Sequence, residues 1–496
     1  VIRRTHGSQQ QVVSSPAPGT VDYGRKWYAM AAVGVGVLLA TIDGSIVNIA
    51  LPTIRADLET SLPVVQWVSV AYLLTLASLT LGVGRWGDIV GKKRIYLAGF
   101  VLFTLASALC GAAPSIGFLI GFRVIQAMGA VMILALGAAI LTEAFPPEER
   151  GKALGLIGTF VSVGIVIGPM VGGLILATLD WRAIFFVNLP VGIVGTWMVI
   201  RFVASTAPAG GQRFDLPGAI LLALALLTLS LGVIFGQDLG YGAPPVVSAI
   251  VAGAVLVAAF LGVERRSPTP MLPLRMFRNP LLSVSVSTGF LAFSALSATF
   301  FLLPFYLEGV LGFDLPKTGL ALSTAPLVIG VVAPLAGALS DRMGVRRLTL
   351  AGLTIMGLAY LGFQTFDTDT SFLGFALVAI PIGLGIGTFQ SPNNSAIMGS
   401  VSREYAGVAG GMLTLTRLLG QIAGVAAIAS LWATRVRALA GPDFSGDAVG
   451  APHADQVRAL HETALVMAGI IAVAMLIGWY GLRQERAARQ SGISGG

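Results

Sequence analysis

Apolar residues run along this chain in long unbroken blocks, not in the alternation of strands or the one-sided stripe of a soluble helix. Fourteen blocks can be marked, at about 28–51, 65–84, 95–113, 117–141, 152–178, 184–203, 216–235, 245–263, 281–308, 317–338, 348–366, 372–397, 407–433 and 463–482. Charge clusters or Pro and Gly turns bound each of them. A helix needs about 20 apolar residues to cross a hydrocarbon layer, and these blocks meet that length. The pattern predicts an all-α polytopic membrane protein with 14 transmembrane helices.

Composition agrees. Of 496 residues, 55% are hydrophobic and only 11% charged, against about a quarter charged in soluble domains. A soluble enzyme, a disordered chain and a disulfide scaffold are excluded. Cys110 is the only cysteine and lies within an apolar block, so no intrachain disulfide or Cys-based metal site is encoded. His6, His453 and His461 fall in tails or loops, which leaves no intramembrane metal site to expect. The polar segment 1–27 lacks the apolar core of a secretory signal and reads as a cytoplasmic tail. The net charge of +8 is a topology signal, not a sign of nucleic acid. With the N-terminus inside, 23 Lys and Arg lie on the cytoplasmic side and six outside, with Arg123 and Arg417 inside spans. Both termini are therefore expected in the cytoplasm.

The chain also repeats itself. Gly84-x3-Asp88-x2-Gly91-x-Lys93-Arg94 recurs as Gly337-x3-Asp341-x2-Gly344-x-Arg346-Arg347, 253 residues later. Gly168-x3-Gly172 returns as Gly420-x3-Gly424, and Ala50-Leu51-Pro52 as Leu302-Leu303-Pro304, each 252 residues on. Two six-helix copies follow, 28–203 and 281–482, joined by 204–280 with two extra spans and ended by a cytoplasmic tail, 483–496. Paired repeats with a midplane site between them are a transporter architecture. The extra spans break the repeat and carry no polar cluster at depth, which places them at the lipid-facing periphery, away from the cleft.

Both Gly-Asp-Gly-basic loops fall between the second and third span of their copy, where glycines permit a tight turn and the basic pair faces cytoplasm and anionic lipid. These loops resemble the signature loop of the major facilitator superfamily. Asp43-x2-Ile46-Val47-Asn48-Ile49-Ala50-Leu51-Pro52 resembles the first-span motif of its fourteen-helix drug:proton antiporter branch. Arg123-x2-Gln126-x2-Gly129 is similar to that branch's proton-coupling motif, with Ala127 where a glycine is usual. Gly164-x3-Gly168-Pro169-x2-Gly172-Gly173 looks like its antiporter motif. In that family this glycine face meets the span carrying Pro326, Gly330, Pro334 and Gly337.

Asp43 and Arg123 also stand out on physical grounds. A charge at a helix centre costs about 2.5–3.5 kcal/mol, so neither would face lipid unpaired. Their depths, about 12 Å and 9 Å below the outer ends of their blocks, allow an ion pair. At an offset of 252 the second copy has Ala295 and Phe375 instead, so the pair is not a packing requirement of the fold. In the second copy Arg417 lies deep in span thirteen with Gln421, Gln390, Asn393 or Asn394 as possible partners. The Gln390-Ser-Pro-Asn-Asn-Ser group is expected to interrupt span twelve and line a cavity. Asn48, Gln66, Tyr72, Gln126, Phe293 and Phe300 are further expected cavity residues, with Phe290, Phe301 and Phe389 adding to its aromatic walls. Glu308 reads either as a solvated helix end or as a cation-attracting gate.

No phosphate loop is present, so uphill transport would draw on an ion gradient. The resemblance implies a non-enzymatic, cofactor-free, monomeric exporter in the cell (inner) membrane, exchanging protons for amphipathic, lipophilic or cationic drugs. The alternatives are an exporter of one dedicated metabolite or lipid on the same scaffold, or a non-transporting receptor or scaffold. The latter is disfavoured by the largest expected external loop, 434–462, being too short for a soluble domain.

Overall fold

The computed structural model describes residues 25–490 apart from 147–148, 206–214, 268–269, 271, 273, 401–405 and 445. The expected tail over 1–24, residues 491–496, and the side chains of Asp88 and Asp341 lie outside the described residues. Fourteen helices are long and apolar enough to cross a membrane. They are α1 (Lys26–Asp57), α2 (Leu62–Val90), α3 (Lys92–Gly111), α4 (Ile116–Ala144), α5 (Arg150–Thr178), α6 (Ala183–Phe202) and α7 (Leu216–Leu239). The rest are α8 (Pro244–Arg266), α9 (Pro280–Val310), α10 (Leu315–Met343), α11 (Val345–Thr365), α12 (Phe372–Gly399), α13 (Ala409–Ala440) and α14 (His453–Gln490). Helices satisfy their own backbone polar groups, which hydrocarbon cannot do for them.

Several helices outrun their apolar blocks. The α13–α14 connection is 441–452 rather than 434–462, because Arg435 and Glu462 pair at 2.5 Å and keep both helix ends wound beyond the apolar stretch. The α12 helix also runs unbroken through the polar group expected to interrupt it, with Pro392 inside. The sharp turns come where the repeat motif placed glycine: Gly91 and Gly344 have φ of 106° and 90°, which an L side chain rarely adopts.

An even number of crossings puts both chain ends at one face of the bundle, called here the terminal face, with the far face opposite. The two copies pack alike: α3 on α4 and α11 on α12, α1 on α5 and α9 on α13, α2 on α4 and α10 on α12, α3 on α6 and α11 on α14. Across the boundary α5 meets α10, and α13 meets α2, again an exchange of equivalent helices. The extra helices differ from each other. Helix α8 is outermost, presenting Val247, Val251 and Val255, whereas α7 is wedged against α2 and α13, with Ala225 fully buried. Helix α7 keeps an exposed apolar stripe, Ile220, Leu224 and Leu227, on its outer side, while its far end brings Gln237 and Asp238 against α2 and α13.

Backbone crossings fix the register of the repeat. A Cβ on Gly129 would lie 2.5 Å from the Phe103 nitrogen, and one on Gly385 would lie 2.7 Å from the Met356 nitrogen. Phe103 and Met356 are 253 apart, so Gly129 corresponds to Gly385, 256 apart. The longer α11–α12 connection adds the difference. Ala379, not Phe375, is thus the counterpart of Arg123, and it too is apolar.

Because the α3–α4 crossing leaves no room for a side chain, Gly129→Leu should cost about 1–3 kcal/mol or more. Gly121 on the same helix has no neighbour within 4 Å of a Cβ, so Gly121→Leu should be neutral. Thermal melting in detergent checks both, and equal melting temperatures would contradict the crossing.

Candidate functional site

The expected pair forms. Arg123 on α4 donates from Nη1 to Asp43 Oδ2 on α1 at 2.6 Å, and both side chains are almost fully shielded, at 2% and 0% exposure. Gln126, one turn along α4, accepts from the same Nη1 at 2.6 Å and donates to Asp43 Oδ1 at 2.8 Å. Two residues that the sequence reading missed complete the shell. Asn188 on α6 donates to Asp43 Oδ1 at 2.8 Å, and Ser107 on α3 accepts from Gln126 at 2.7 Å. The ring of Tyr72 on α2 lies 4.0 Å from the guanidinium carbon of Arg123, and Arg123 Nε reaches the Val68 carbonyl at 3.3 Å. Depth was the available signal. Ser107, Arg123 and Asn188 each lie about 6–11 Å along their helices from the far-face end, so polar residues at one level converge.

Asp43 thus accepts three hydrogen bonds, two on Oδ1 and one on Oδ2. Every donor is fixed by a helix of the first copy. The hydrogen bonding of the carboxylate is therefore tied to the relative positions of α1, α4 and α6. Removing one partner of such a buried pair costs about 3–5 kcal/mol.

Two expected cavity residues, Gln126 and Tyr72, therefore belong to this closed cluster. Gln66 is buried and accepts from Gln237 of α7 at 3.1 Å, a packing contact that α7's position makes possible. Asn48 accepts from Ser69 at 3.4 Å and stays half-buried. In the second copy Asn393 ties α12 to α9 through the Ser285 carbonyl at 3.1 Å and the Thr288 hydroxyl at 3.4 Å. Phe301 and Phe389 are core residues, the latter with its nitrogen against Gly352. Phe293 is buried beside Gly420, while Phe300, Gln390, Asn394, Arg417 and Gln421 are half-buried. Glu308 is no solvated helix end: it sits in a single π-helical turn, Tyr306–Val310, with Oε1 buried and unpartnered among the described residues.

The glycine motif of α5 divides its contacts. Gly164, Gly168 and Gly172 fit against Thr41, Ser45, Ile46 and Ile49 of α1, although α5 also packs along α10, the span carrying Pro326, Gly330, Pro334 and Gly337. One hundred degrees around the helix, Gly173 and Pro169 meet Leu315 and Gly319 of α10 backbone to backbone. A Cβ on Gly330 would lie 3.9 Å from Ser162 of α5, and the Ser323 hydroxyl donates to the Val166 carbonyl at 3.1 Å. These α5–α10 contacts lie towards the far face, where Arg55 of α1 pairs with Asp447 of the α13–α14 connection at 2.7 Å and the Leu62 nitrogen donates to the same carboxylate at 2.8 Å. Arg437 of α13 reaches the Gln237 carbonyl and the Asp238 carboxylate of α7 nearby. The far ends of the two copies are joined.

At the terminal face, Lys93 donates to the Ile200 carbonyl at 3.0 Å, and Arg94 and Arg347 are exposed. Arg346 does not face lipid: it is buried, pairing with Glu485 at 2.9 Å and donating to the Leu281 carbonyl at 2.6 Å. Arg346 of the second motif thus fastens α9, α11 and α14 together. The backbones of Gly84 and Gly337 lie in α2 and α10 beside these turns.

The family profile described as Major Facilitator Superfamily matches residues 33–425. The chain is 33% identical to the riboflavin transporter RibZ of Clostridioides difficile (strain 630), covering 82% of this chain and 89% of that protein. It is 32% identical to the multidrug resistance protein Stp of Mycobacterium tuberculosis (strain CDC 1551 / Oshkosh), covering 83% and 77%, and 33% identical to the methylenomycin A resistance protein of Streptomyces coelicolor (strain ATCC BAA-471 / A3(2) / M145), covering 86% and 89%. Its fold is similar to that of a bacterial homolog of the human lysosomal transporter Spinster in an inward-facing, unoccupied conformation, with a TM-score of 0.66 at 16% identity over 94% of this chain and 98% of that one. A shared profile over most of the helices, a third of the residues in common with relatives of the same length, and one bundle architecture lead to one assignment: the chain belongs to the Major Facilitator Superfamily of membrane transporters.

Proposed function

We propose that the protein is a proton-coupled antiporter that exports amphipathic, lipophilic small molecules by alternating access of the two copies. It acts as a monomer in the cell (inner) membrane, with the terminal face in the cytoplasm. Asp43 carries the proton and Arg123 is its charge partner. The observation that carries this reading is the sealed Asp43–Arg123–Gln126–Asn188 cluster. A purely structural ion pair is a poor stabiliser compared with apolar packing, and the second copy folds alike with apolar residues in its place. The relatives named for drug or antibiotic resistance support export. A second reading, export of one metabolite, is favoured by the relative named as a riboflavin transporter.

Alternating access requires the far-face contacts to part. Arg55, Asp447 and the Leu62 nitrogen hold that face shut in this state, with the α5–α10 glycine contact behind them.

Three outcomes follow from this reading. Inverted vesicles should accumulate a fluorescent lipophilic substrate when a pH gradient is imposed and stop when an uncoupler collapses it; transport that persists with uncoupler and needs ATP would refute the energy source. Asp43→Asn fixes the protonated state, so it should bind substrate with modest loss but release no proton on substrate addition in detergent. Asn188→Leu, which removes a hydrogen bond to a charge worth about 1.5–3 kcal/mol, should weaken that release and shift its pH dependence, while Glu308→Gln leaves it intact. Release that is unchanged in Asp43→Asn and lost in Glu308→Gln would place coupling in the other copy. Finally, Asp447→Ala should raise labelling from the far side of a cysteine placed at Asn48, and unaltered labelling would mean that this carboxylate is no latch.

A further inference from the structure

The buried charges of the two copies are not equivalent. In the first copy the positive charge of Arg123 is closed off by Asp43. In the second, Arg417 stands on α13, about 12 Å along the helix from Ala409. Its side chain is half-buried, and among the described residues its guanidinium has no hydrogen bond, ion pair or ring contact. No Asp or Glu occurs within the membrane spans of α10 to α13. Glu308 is distant, about 42 Å along α9 from its terminal-face end.

The surroundings show why Arg417 is not a packing residue. The seam of α13 against α9 is already filled by Thr416 beside Gly289, and by Gly420 and Gly424, whose positions would put a Cβ within 2.7 Å and 2.2 Å of α9 carbonyls. Arg417 and Gln421, four residues apart, form the neighbouring stripe on a helix that also packs against α2 of the first copy. The Gln421 carbonyl accepts from Ser297, but its side-chain amide has no partner among the described residues. An arginine at this depth is tolerated only where it faces a water-filled cavity or an anion. A guanidinium with no carboxylate near it is an unused planar fork, shaped for two parallel hydrogen bonds to a carboxylate or phosphate.

We propose that Arg417, with Gln421 beside it, recognises the anionic group of the transported molecule, so that the substrate class is an amphipathic compound whose apolar body carries a carboxylate. This rests on the reading of the chain as a transporter with its site between the copies. It narrows the substrate expected from sequence, because a guanidinium without a partner among the described residues repels cationic drugs.

The test is binding to the full-length protein in detergent, followed by intrinsic fluorescence, with two probes that share one apolar body: 2-naphthoate and the 2-naphthylmethylammonium cation. A charge-assisted hydrogen bond corresponds to about ten-fold or more in affinity, so the wild type should favour naphthoate by at least that ratio. Arg417→Gln should bring the ratio to about one without lowering the melting temperature, since it removes a charge that no protein group satisfies. Arg417→Lys should retain part of the preference, and Arg417→Glu should invert it. Equal binding of both probes by the wild type, or binding of neither at about 1 mM, overturns the proposal. So does an Arg417→Gln protein that loses stability while keeping the anion preference. Asp43→Asn should retain the preference, so a failure of proton coupling and a failure of anion recognition give different results.

Discussion

A carboxylate and a guanidinium held together out of reach of water impose the main constraint on this molecule. Neither Asp43 nor Arg123 is stable alone at that depth, and each is useful only if the contact between them can change. The surrounding residues meet the first condition. Gln126 and Asn188 donate to the carboxylate, Ser107 accepts from Gln126 behind it, and the Tyr72 ring covers the cation. Charge, hydrogen bonding and helix position are therefore one variable here. The donors to Asp43 sit on two helices, α4 and α6, that cannot move without their neighbours.

The glycines determine which neighbours those are. Close backbone contact is the principal means of holding helices together where there is no hydrophobic effect between them. The α3–α4 and α11–α12 crossings use it to make each copy rigid, and the α5–α10 crossing uses it to close the far face. The same chemistry thus serves both permanent and separable contacts. What distinguishes the far-face contact is that it joins helices from different copies and is reinforced by polar groups, Ser323 to the Val166 carbonyl and Arg55 to Asp447, which water can replace when the face opens.

Much of this was legible in the sequence, for physical reasons. Hydrocarbon demands long apolar helices, so their number could be counted directly, and a lone acid and a lone base at matching depth could be paired. The failures are equally specific. Residue order does not report rotation about a helix axis, so the α5 glycines were assigned to α10 when most of them face α1. Polar residues were taken to line a cavity because they were polar, yet Asn393 is consumed in tying α12 to α9, and Gln66 in meeting α7. Asn188 went unnoticed because one amide in an apolar run carries no pattern, although its depth matched that of Arg123. The packed side of α7 went unread because Gln237 and Asp238 lie at the end of its apolar block, where polar residues are ordinarily solvated.

The two copies share a fold and divide the chemistry. The first holds a closed charge pair, and the second holds Arg417, whose guanidinium has no partner among the described residues. On the exchange proposed above, proton and cargo are held by different groups and do not compete for one. The contact between the two tasks runs through α1. Ser45, two residues from Asp43, donates to the Gly164 carbonyl of α5 at 3.2 Å, and five residues beyond Gly164 the Pro169 carbonyl abuts Gly319 of α10. Contiguity of this kind supplies a route and not yet a coupling, because coupling requires an element with two arrangements that both sites bias. Helix α5 fits that requirement: Pro169 lacks the amide hydrogen that would otherwise stiffen it, and its two glycine faces are engaged one with α1 and the other with α10. Gly164, Gly168 and Gly172 seat α1, and Pro169 and Gly173, about a hundred degrees around the helix, seat α10, so α5 cannot turn about its axis without disturbing both contacts.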